Sequence, residues 1–300
     1  MRRRLLPALA VLAFALVAPM GPATAFQGGD QGRESSAAPI RVIQHNTDHV
    51  PEAWQFALER IESADPDVVM IQEVCLPWFT ELQDAKPEWT MAFHPRKRHY
   101  GNSRNPGCHG DFIGEAVIYT GAPGRVTLTP DYPNNNADGL EKFGMACVEF
   151  QHRGVPTLGC STHLSAYPTS GGRGTQPERD AQVQSIMDHT APYREAGWAV
   201  VLGGDFNMTS QADNANQAPD MNLLMGPEVG GTGAFYDASQ HVCECRLTQP
   251  DSNRRIDYVF FDGGRTPWTS PTTITYADSP AGHHLLEATA PLYREQPTGR

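Results

Sequence analysis

The chain is short of positive charge. Its 300 residues include 23 Lys and Arg against 34 Asp and Glu, a net charge of −11 at pH 7. That balance excludes tight nonspecific retention of a polyanion, because such binding is driven by basic residues that displace counterions. A phosphate-bearing partner would need local help from a metal ion or a basic patch. Beyond the N-terminal region the chain also lacks a long apolar run, and a membrane-spanning helix needs about 20 such residues. No membrane span is therefore expected. Internal repeats are missing too, which excludes a solenoid or a propeller. What is left is enough chain, roughly 275 residues, for one large core.

The N terminus has a pattern of its own. Arg2, Arg3 and Arg4 precede an apolar run from Leu5 to Val17, and Ala23-Thr24-Ala25 offers a small-residue cleavage site. This predicts a secretory signal peptide over residues 1–25 and a secreted, extracellular product. Pro7, Pro19 and Pro22 interrupt the run before it could anchor the chain in a bilayer. Cleavage would leave 20 basic residues against 34 acidic ones and move the net charge to −14. Residues 26–39, rich in Gly, Ser and Gln, are expected to form a flexible lead-in to a domain over 40–296.

Six cysteines in an exported chain predict disulfides. One pairing follows from spacing. In "FGMACVEFQHRGVPTLGCSTHL" two strands meet at Arg153-Gly154, a suitable two-residue hairpin turn. Paired residue numbers then sum to 307, which sets Cys147 opposite Cys160. Counting outward from the turn puts them at a non-hydrogen-bonded position, where side chains approach most closely. Partners for Cys75, Cys108, Cys243 and Cys245 do not follow from the sequence.

Further strands are expected at Arg41–His45, Asp67–Val74, Ala116–Tyr119, Trp198–Leu202 and within "RRIDYVFF" and "LLEATAPL". Asp67–Val74 is continuously apolar, as in a strand covered on both faces. Trp54, Leu58 and Ile61 mark one amphipathic helix, ended by Pro66; Val183, Ile186 and Met187 mark another, opened near Pro177. Thr209–Asn253 reads as a long polar loop. Strands with intervening helices predict a layered α/β domain.

Polar residues fall at the ends of these strands. Asn46 follows "RVIQH", Glu73 sits near the end of "DVVMIQEV", His163 ends "LGCSTH", and Asp205 and Asn207 follow "VLGG". Asp257 lies inside "RRIDYVFF" on the face opposite Ile256, Tyr258 and Phe260, and His283 and His284 precede the last strand. Charged groups in such settings are rarely buried without partners. Strands lying side by side would gather them into one crevice.

"HN", "IQEV", "STHL", "GGDFN" and "RRIDYVFF", in this order and spacing, resemble the endonuclease/exonuclease/phosphatase superfamily over Arg41 to Leu292. The resemblance implies a four-layered α/β sandwich: two packed mixed β-sheets flanked by helices. It also implies a metal-dependent phosphoester hydrolase. Glu73 and Asn46 supply the oxygen ligands that Mg²⁺ prefers, with Mn²⁺ as an alternative and Ca²⁺ as a structural ion. Asp205 orients or deprotonates the attacking water and Asn207 donates its amide to the phosphate. His163 binds the phosphate or protonates the leaving oxygen; His283, held in its tautomer by Asp257, does the complementary task. Arg179 and Gln182 resemble a pair that braces the site, with surface roles as the alternative. One departure is clear: the family's Ser-Asp-His before the last strand is replaced by Ala281-Gly282-His283-His284. His283 rather than His284 keeps the apolar register of Leu285, Leu286 and Ala288.

The expected substrate is nucleic acid, DNA first, cut by a monomeric extracellular nuclease. Arg96, Lys97 and Arg98 form the densest basic cluster and are expected in the loop after the Glu73 strand, gripping phosphates beside the scissile one. The alternatives are a phosphatase or sphingomyelinase acting on a small or lipid phosphate, and a non-catalytic binding protein on the same fold.

Overall fold

The computed structural model describes residues 37–100, 108–121, 123–133, 141–166, 176–208, 220–239 and 246–294. Twelve strands among them form two six-stranded mixed sheets. The first sheet runs, edge to edge, β11 (Thr273–Ala277), β12 (Leu285–Tyr293), β1 (Ala37–Asn46), β2 (Val68–Cys75), β4 (Phe112–Tyr119) and β3 (Thr90–Arg98). The second runs β5 (Arg125–Leu128), β6 (Gly144–His152), β7 (Val155–His163), β8 (Ala199–Asp205), β10 (Asp257–Asp262) and β9 (Phe235–Asp237). Each sheet has one parallel pair at its centre, β1–β2 and β7–β8, and antiparallel neighbours on both sides. A parallel pair needs a crossover connection. Helix α1 (Pro51–Ala64) supplies the first and α3 (Gln176–Glu195) the second.

Strand alternation sorts the side chains into three apolar layers. Val42, Val68 and Met70 from one sheet meet Val148, Val201, Val259 and Phe261 from the other in the central layer. Their neighbours Ile43, Val69 and Ile71 face outward onto Trp54, Ala57 and Ile61 of α1 and Phe79 and Leu82 of α2 (Leu76–Ala85). On the far side Leu158, Val200, Leu202, Tyr258 and Phe260 pack under Val183 and Ile186 of α3 and Met221 and Leu224 of α4 (Asp220–Leu224). Both faces of the central strands are thus covered, which is why they read as unbroken apolar runs.

The hairpin register is the expected one. Cys147 pairs with Cys160 across β6 and β7, their Cα atoms lie 4.2 Å apart, and a disulfide joins them. Arg153 and Gly154 both adopt left-handed φ, 49° and 86°, as the tight turn matching strand twist requires. A second disulfide joins Cys75 to Cys108. Cys243 and Cys245, like the expected signal peptide, lie outside the described residues.

Three expectations are corrected. The lead-in does not extend to residue 39: β1 starts at Ala37, and Ala38 and Pro39 pair with Leu292 and Pro291. The partner that orders them is distant in sequence, so local composition gives no sign of it. The stretch Thr209–Asn253 is not one loop, since it contains α4 and β9, anchored by buried Met221, Leu224 and Phe235. The basic cluster is not in a loop either. It forms the last three residues of β3, a strand whose alternation is blurred by His94, Pro95 and the charges that follow.

Candidate active site

The parallel pairs fix where the polar groups collect. β1, β2, β7 and β8 all end at one rim, and the antiparallel β10 and β12 begin there. Ligand crevices in open α/β sheets form outside the carboxyl ends of parallel strands. Asn46 ends β1 and donates from Nδ2 to Asp205 Oδ2 at the end of β8, 3.0 Å away across the two sheets. Asp257, first residue of β10, is 2.9 Å from Nδ1 of His283, which immediately precedes the β12 approach. Asn46, His163, Asp205, Asn207, Asp257 and His283 are all buried and Glu73 nearly so. The structure brings every expected catalytic and metal residue to this rim.

Beneath them a polar strap links the sheets. Gln44 Nε2 donates to Gln72 Oε1 at 2.6 Å, and Gln72 Nε2 to Ser161 Oγ at 3.0 Å. Gln44 also reaches Asp257 Oδ1 at 3.4 Å. The two glycines of "VLGGDFN" belong to this close approach. A Cβ on Gly204 would lie 2.1 Å from the Thr162 carbonyl oxygen, and one on Gly203 would lie 2.5 Å from Met70 Sδ.

Two bulges aim further groups inward. The pairing of β2 with β4 slips between Ile71 and Val74, and that of β3 with β4 slips between Pro95 and Lys97. Both slips sit opposite Gly114, where a Cβ would lie 2.1 Å from the His94 carbonyl oxygen. Bulges re-aim side chains and recur beside active sites. Here they turn Glu73, at φ 55°, and Arg96 toward each other, with Arg96 NH1 3.2 Å from Glu73 Oε1. Arg96 also bonds Glu141 through Nε at 2.8 Å and His163 Nδ1 through NH1 at 2.8 Å. Lys97 pairs with Glu141 at 3.0 Å, and only Arg98 of the basic cluster points outward, over the Phe112 ring.

The environments set distinct proton affinities. Burial opposes charge on Glu73, but the His49 hydrogen bond and the Arg96 charge outweigh it and hold the carboxylate well below its usual range. Burial and Arg96 push His163 well below its ordinary value, so the ring is neutral. Arg96 NH1 donates to Nδ1 of His163, and the other ring nitrogen, Nε2, faces Asn207 and Asp205. That atom lies 3.0 Å from Asn207 Nδ2 and 3.7 Å from Asp205 Oδ2. Burial and the Asp257 charge raise Asp205 to about 7. Burial works against a charged His283, yet Asp257 overrides it and raises the ring to about 10. His284 instead pairs with exposed Asp278 at 3.2 Å.

Glu115, wholly buried on β4, was not foreseen. Its Oε2 lies 3.5 Å from His94 Nδ1 and its Oε1 3.9 Å from His163 Nδ1, and burial raises its proton affinity. A glutamate inside the apolar "AVIY" strand is the signal that could have found it. Glu141 and His49 carried no comparable signal, and Arg96, expected to grip a flanking phosphate, is instead turned inward onto Glu73, Glu141 and His163. Of the bracing pair, Gln182 Nε2 donates to Ser165 Oγ at 2.8 Å, and Arg179 is buried beside it. A divalent cation fits the donor set at Glu73: an ionised carboxylate with Asn46 and Asp48 oxygens nearby, two residues of which belong to an acidic and histidine cluster of Asp48, His49 and Glu73.

The sequence profile of the Endonuclease/Exonuclease/phosphatase family matches residues 55–280, and the chain belongs to that family. Members are typically metal-dependent phosphoester hydrolases, and the two six-stranded mixed sheets flanked by helices agree with the family's α/β sandwich. Asn46 and His283 fall just outside the matched residues, so the geometry rather than the profile brings them in. Among solved structures, the chain is similar to an endonuclease/exonuclease/phosphatase from Bacteroides vulgatus, with 15% identity and TM-score 0.60 over 85% of this chain and 99% of that one. The human Nocturnin catalytic domain with bound sulfate gives 16% identity and TM-score 0.59 over 84% and 93%. Truncated TDP2 from Caenorhabditis elegans gives 16% and 0.55 over 84% and 97%. At these identities the likeness concerns the fold. No curated protein gives a significant match.

Proposed function

We propose that the protein is a secreted, Mg²⁺-dependent phosphodiesterase, an extracellular nuclease acting on DNA. One observation carries the reading: Asp205 and His283 lie 4.0 Å apart, one a carboxylate able to take a proton near neutrality, the other an imidazolium able to give one. Groups whose environments part their proton affinities in this way divide acid and base work between them.

Asp205 accepts the proton of the attacking water, fixed in place by the Asn46 amide on Oδ2 and the Asn207 N–H on Oδ1 at 2.9 Å. The neutral His163, held at Nδ1 by Arg96, and the Asn207 amide beside it line the space for the phosphoryl oxygens. Asp257 holds Nδ1 of His283 and leaves Nε2 to protonate the departing oxygen. Glu73 with Asn46 would hold the ion, which supplies Lewis-acid stabilisation of the charge that grows on the phosphoryl group. Arg96 secures Glu73, Glu141 and His163 together, so it acts inside the site, while Arg98 is left to meet a flanking phosphate.

Two features support nucleic acid: the outward Arg98 at the rim, and the scarcity of exposed apolar side chains, with Tyr100 and Val126 the large ones among the described residues. A small or lipid phosphate is favoured by the acidic mouth beside His283, where Asp251 and Asp278 stand. Plasmid DNA, RNA, sphingomyelin and inositol phosphates should be compared in Mg²⁺ with EDTA controls. Preferred, EDTA-sensitive nicking of plasmid is expected. A clear preference for either of the last two substrates refutes the nuclease reading, and no cleavage with any divalent ion makes the chain a binding protein.

A further inference from the structure

The segment Asn46–His49 is fastened onto the end of β2 along its whole length. Thr47 N donates to the Gln72 carbonyl at 3.0 Å, Thr47 Oγ1 to the Glu73 carbonyl at 3.0 Å, and His49 N to the same Glu73 carbonyl at 3.1 Å. Asp48 and His49 both take left-handed φ of 46°, and Glu73 takes 55°. Non-glycine residues seldom adopt that region unless the surroundings impose it. The result is a fixed meeting of three side chains. His49 Nδ1 lies 3.0 Å from Glu73 Oε2 and 3.6 Å from Asp48 Oδ1, and one ligand atom of each falls within 4.8 Å of the others.

We infer that His49 and Asp48 join Glu73 as ligands of the ion, giving a mixed nitrogen and oxygen site that prefers a transition ion such as Mn²⁺ or Co²⁺ to Mg²⁺. Bond lengths of about 2.1 Å place adjacent ligand atoms of an octahedral site roughly 3.0 Å apart and opposite ones roughly 4.2 Å apart. The two spacings from His49 Nδ1, 3.0 Å and 3.6 Å, lie in that span, and the three atoms are close enough together to meet on one ion. Asn46 Oδ1 accepts the Asp48 N–H at 2.9 Å while its Nδ2 donates to Asp205, which leaves that oxygen one lone pair for the ion beside these three ligands. The outer side of His49 is closed by His99, ring centroids 4.0 Å apart, whose buried Nδ1 has no hydrogen-bond partner. The nearby disulfide from Cys75 to Cys108 ties the end of β2 to the chain that follows His99. Imidazole nitrogen favours later first-row ions, in the order Mn²⁺ below Co²⁺, whereas Mg²⁺ keeps to oxygen and water.

The inference deepens the reading above and rests on it for the use made of the ion, but the binding is measured without turnover. Calorimetric titration of the mature protein with Mg²⁺, Mn²⁺ and Co²⁺ should give affinities rising in that order. His49→Ala should weaken Co²⁺ by about 10-fold or more while changing Mg²⁺ by less than about 3-fold. Asp48→Asn should weaken all three. His49→Gln, closer in size, guards against loss of folding in the alanine variant. Electron spin echo spectra of the Mn²⁺-loaded protein should show ¹⁴N coupling that disappears in both His49 variants. Absence of ¹⁴N coupling in the wild type overturns the assignment, and so does coupling that persists undiminished without His49. Metal binding as described in a protein that cleaves no phosphoester would sink the enzymatic reading and leave this site intact.

Discussion

Asp205 shows how much one residue's surroundings decide. Its carboxylate is buried against Asp257, and the base role proposed for it depends on its proton leaving near neutrality. Activity should therefore rise as pH climbs through about 7, where Asp205 ionises, and fall past about 10, where His283 gives up its proton. A bound cation favours the carboxylate, so raising the metal concentration should move the acid limb downward. Asp205→Asn keeps the volume and removes both the base and that limb. Turnover should drop by at least ~10²-fold, the contribution of a positioned acid–base group, with the circular dichroism spectrum unchanged. A fully active variant would mean the carboxylate only shapes a turn. Residues of this kind were legible in the sequence because a charge inside or at the end of an apolar strand has no bland explanation shared by all of them. The inward role of Arg96, singled out only as a phosphate grip, and the place of His49 were not legible: a bulge opposite a distant glycine turns the first inward, and the second depends on backbone bonds to a strand that comes later in the chain.

Among the elements, β4 governs the aim of two others. Gly114 leaves room for both bulges, and any side chain there meets the His94 backbone, which cannot swing aside. Gly114→Ala should cost about 1–3 kcal/mol, as overpacking does, visible as a lower urea midpoint. It should also reduce turnover by displacing Arg96 from Glu73. Equal stability and activity in the variant would show that the bulges tolerate a side chain. The β12 register makes a second claim. Leu286 and Ala288 share the central layer while Leu285 faces outward, and this phase delivers His283 to Asp257 and His284 to Asp278. His283→Ala should abolish most turnover and His284→Ala leave much of it, measured on a small chromogenic phosphodiester. The central strands were readable because both their faces are apolar. α2, β3 and the short edge strands were not, since what stabilises them is the neighbour they pair with or cover.

At the scale of the molecule, charge and topology pull in different directions. With a net charge of −11, which loss of the expected signal peptide would take to −14, association with DNA cannot draw on the bulk surface, and the paired Arg96 and Lys97 add little. KM for DNA should accordingly be high and rise steeply with ionic strength, while a small diester is cleaved with nearly salt-independent kinetics. Salt-insensitive DNA cleavage would point to contacts other than phosphate. Topology, by contrast, spreads the reacting groups over both sheets: Asn46, Glu73, Arg96 and His283 on one, His163, Asp205, Asn207 and Asp257 on the other. His283 arrives with β12, the last described strand, which inserts beside β1, the first. Until β12 has left the ribosome and found β1, no fragment holds the full set of groups assigned to the proposed reaction, so a nuclease built in this way would stay silent while it is being made and spare the nucleic acid around it.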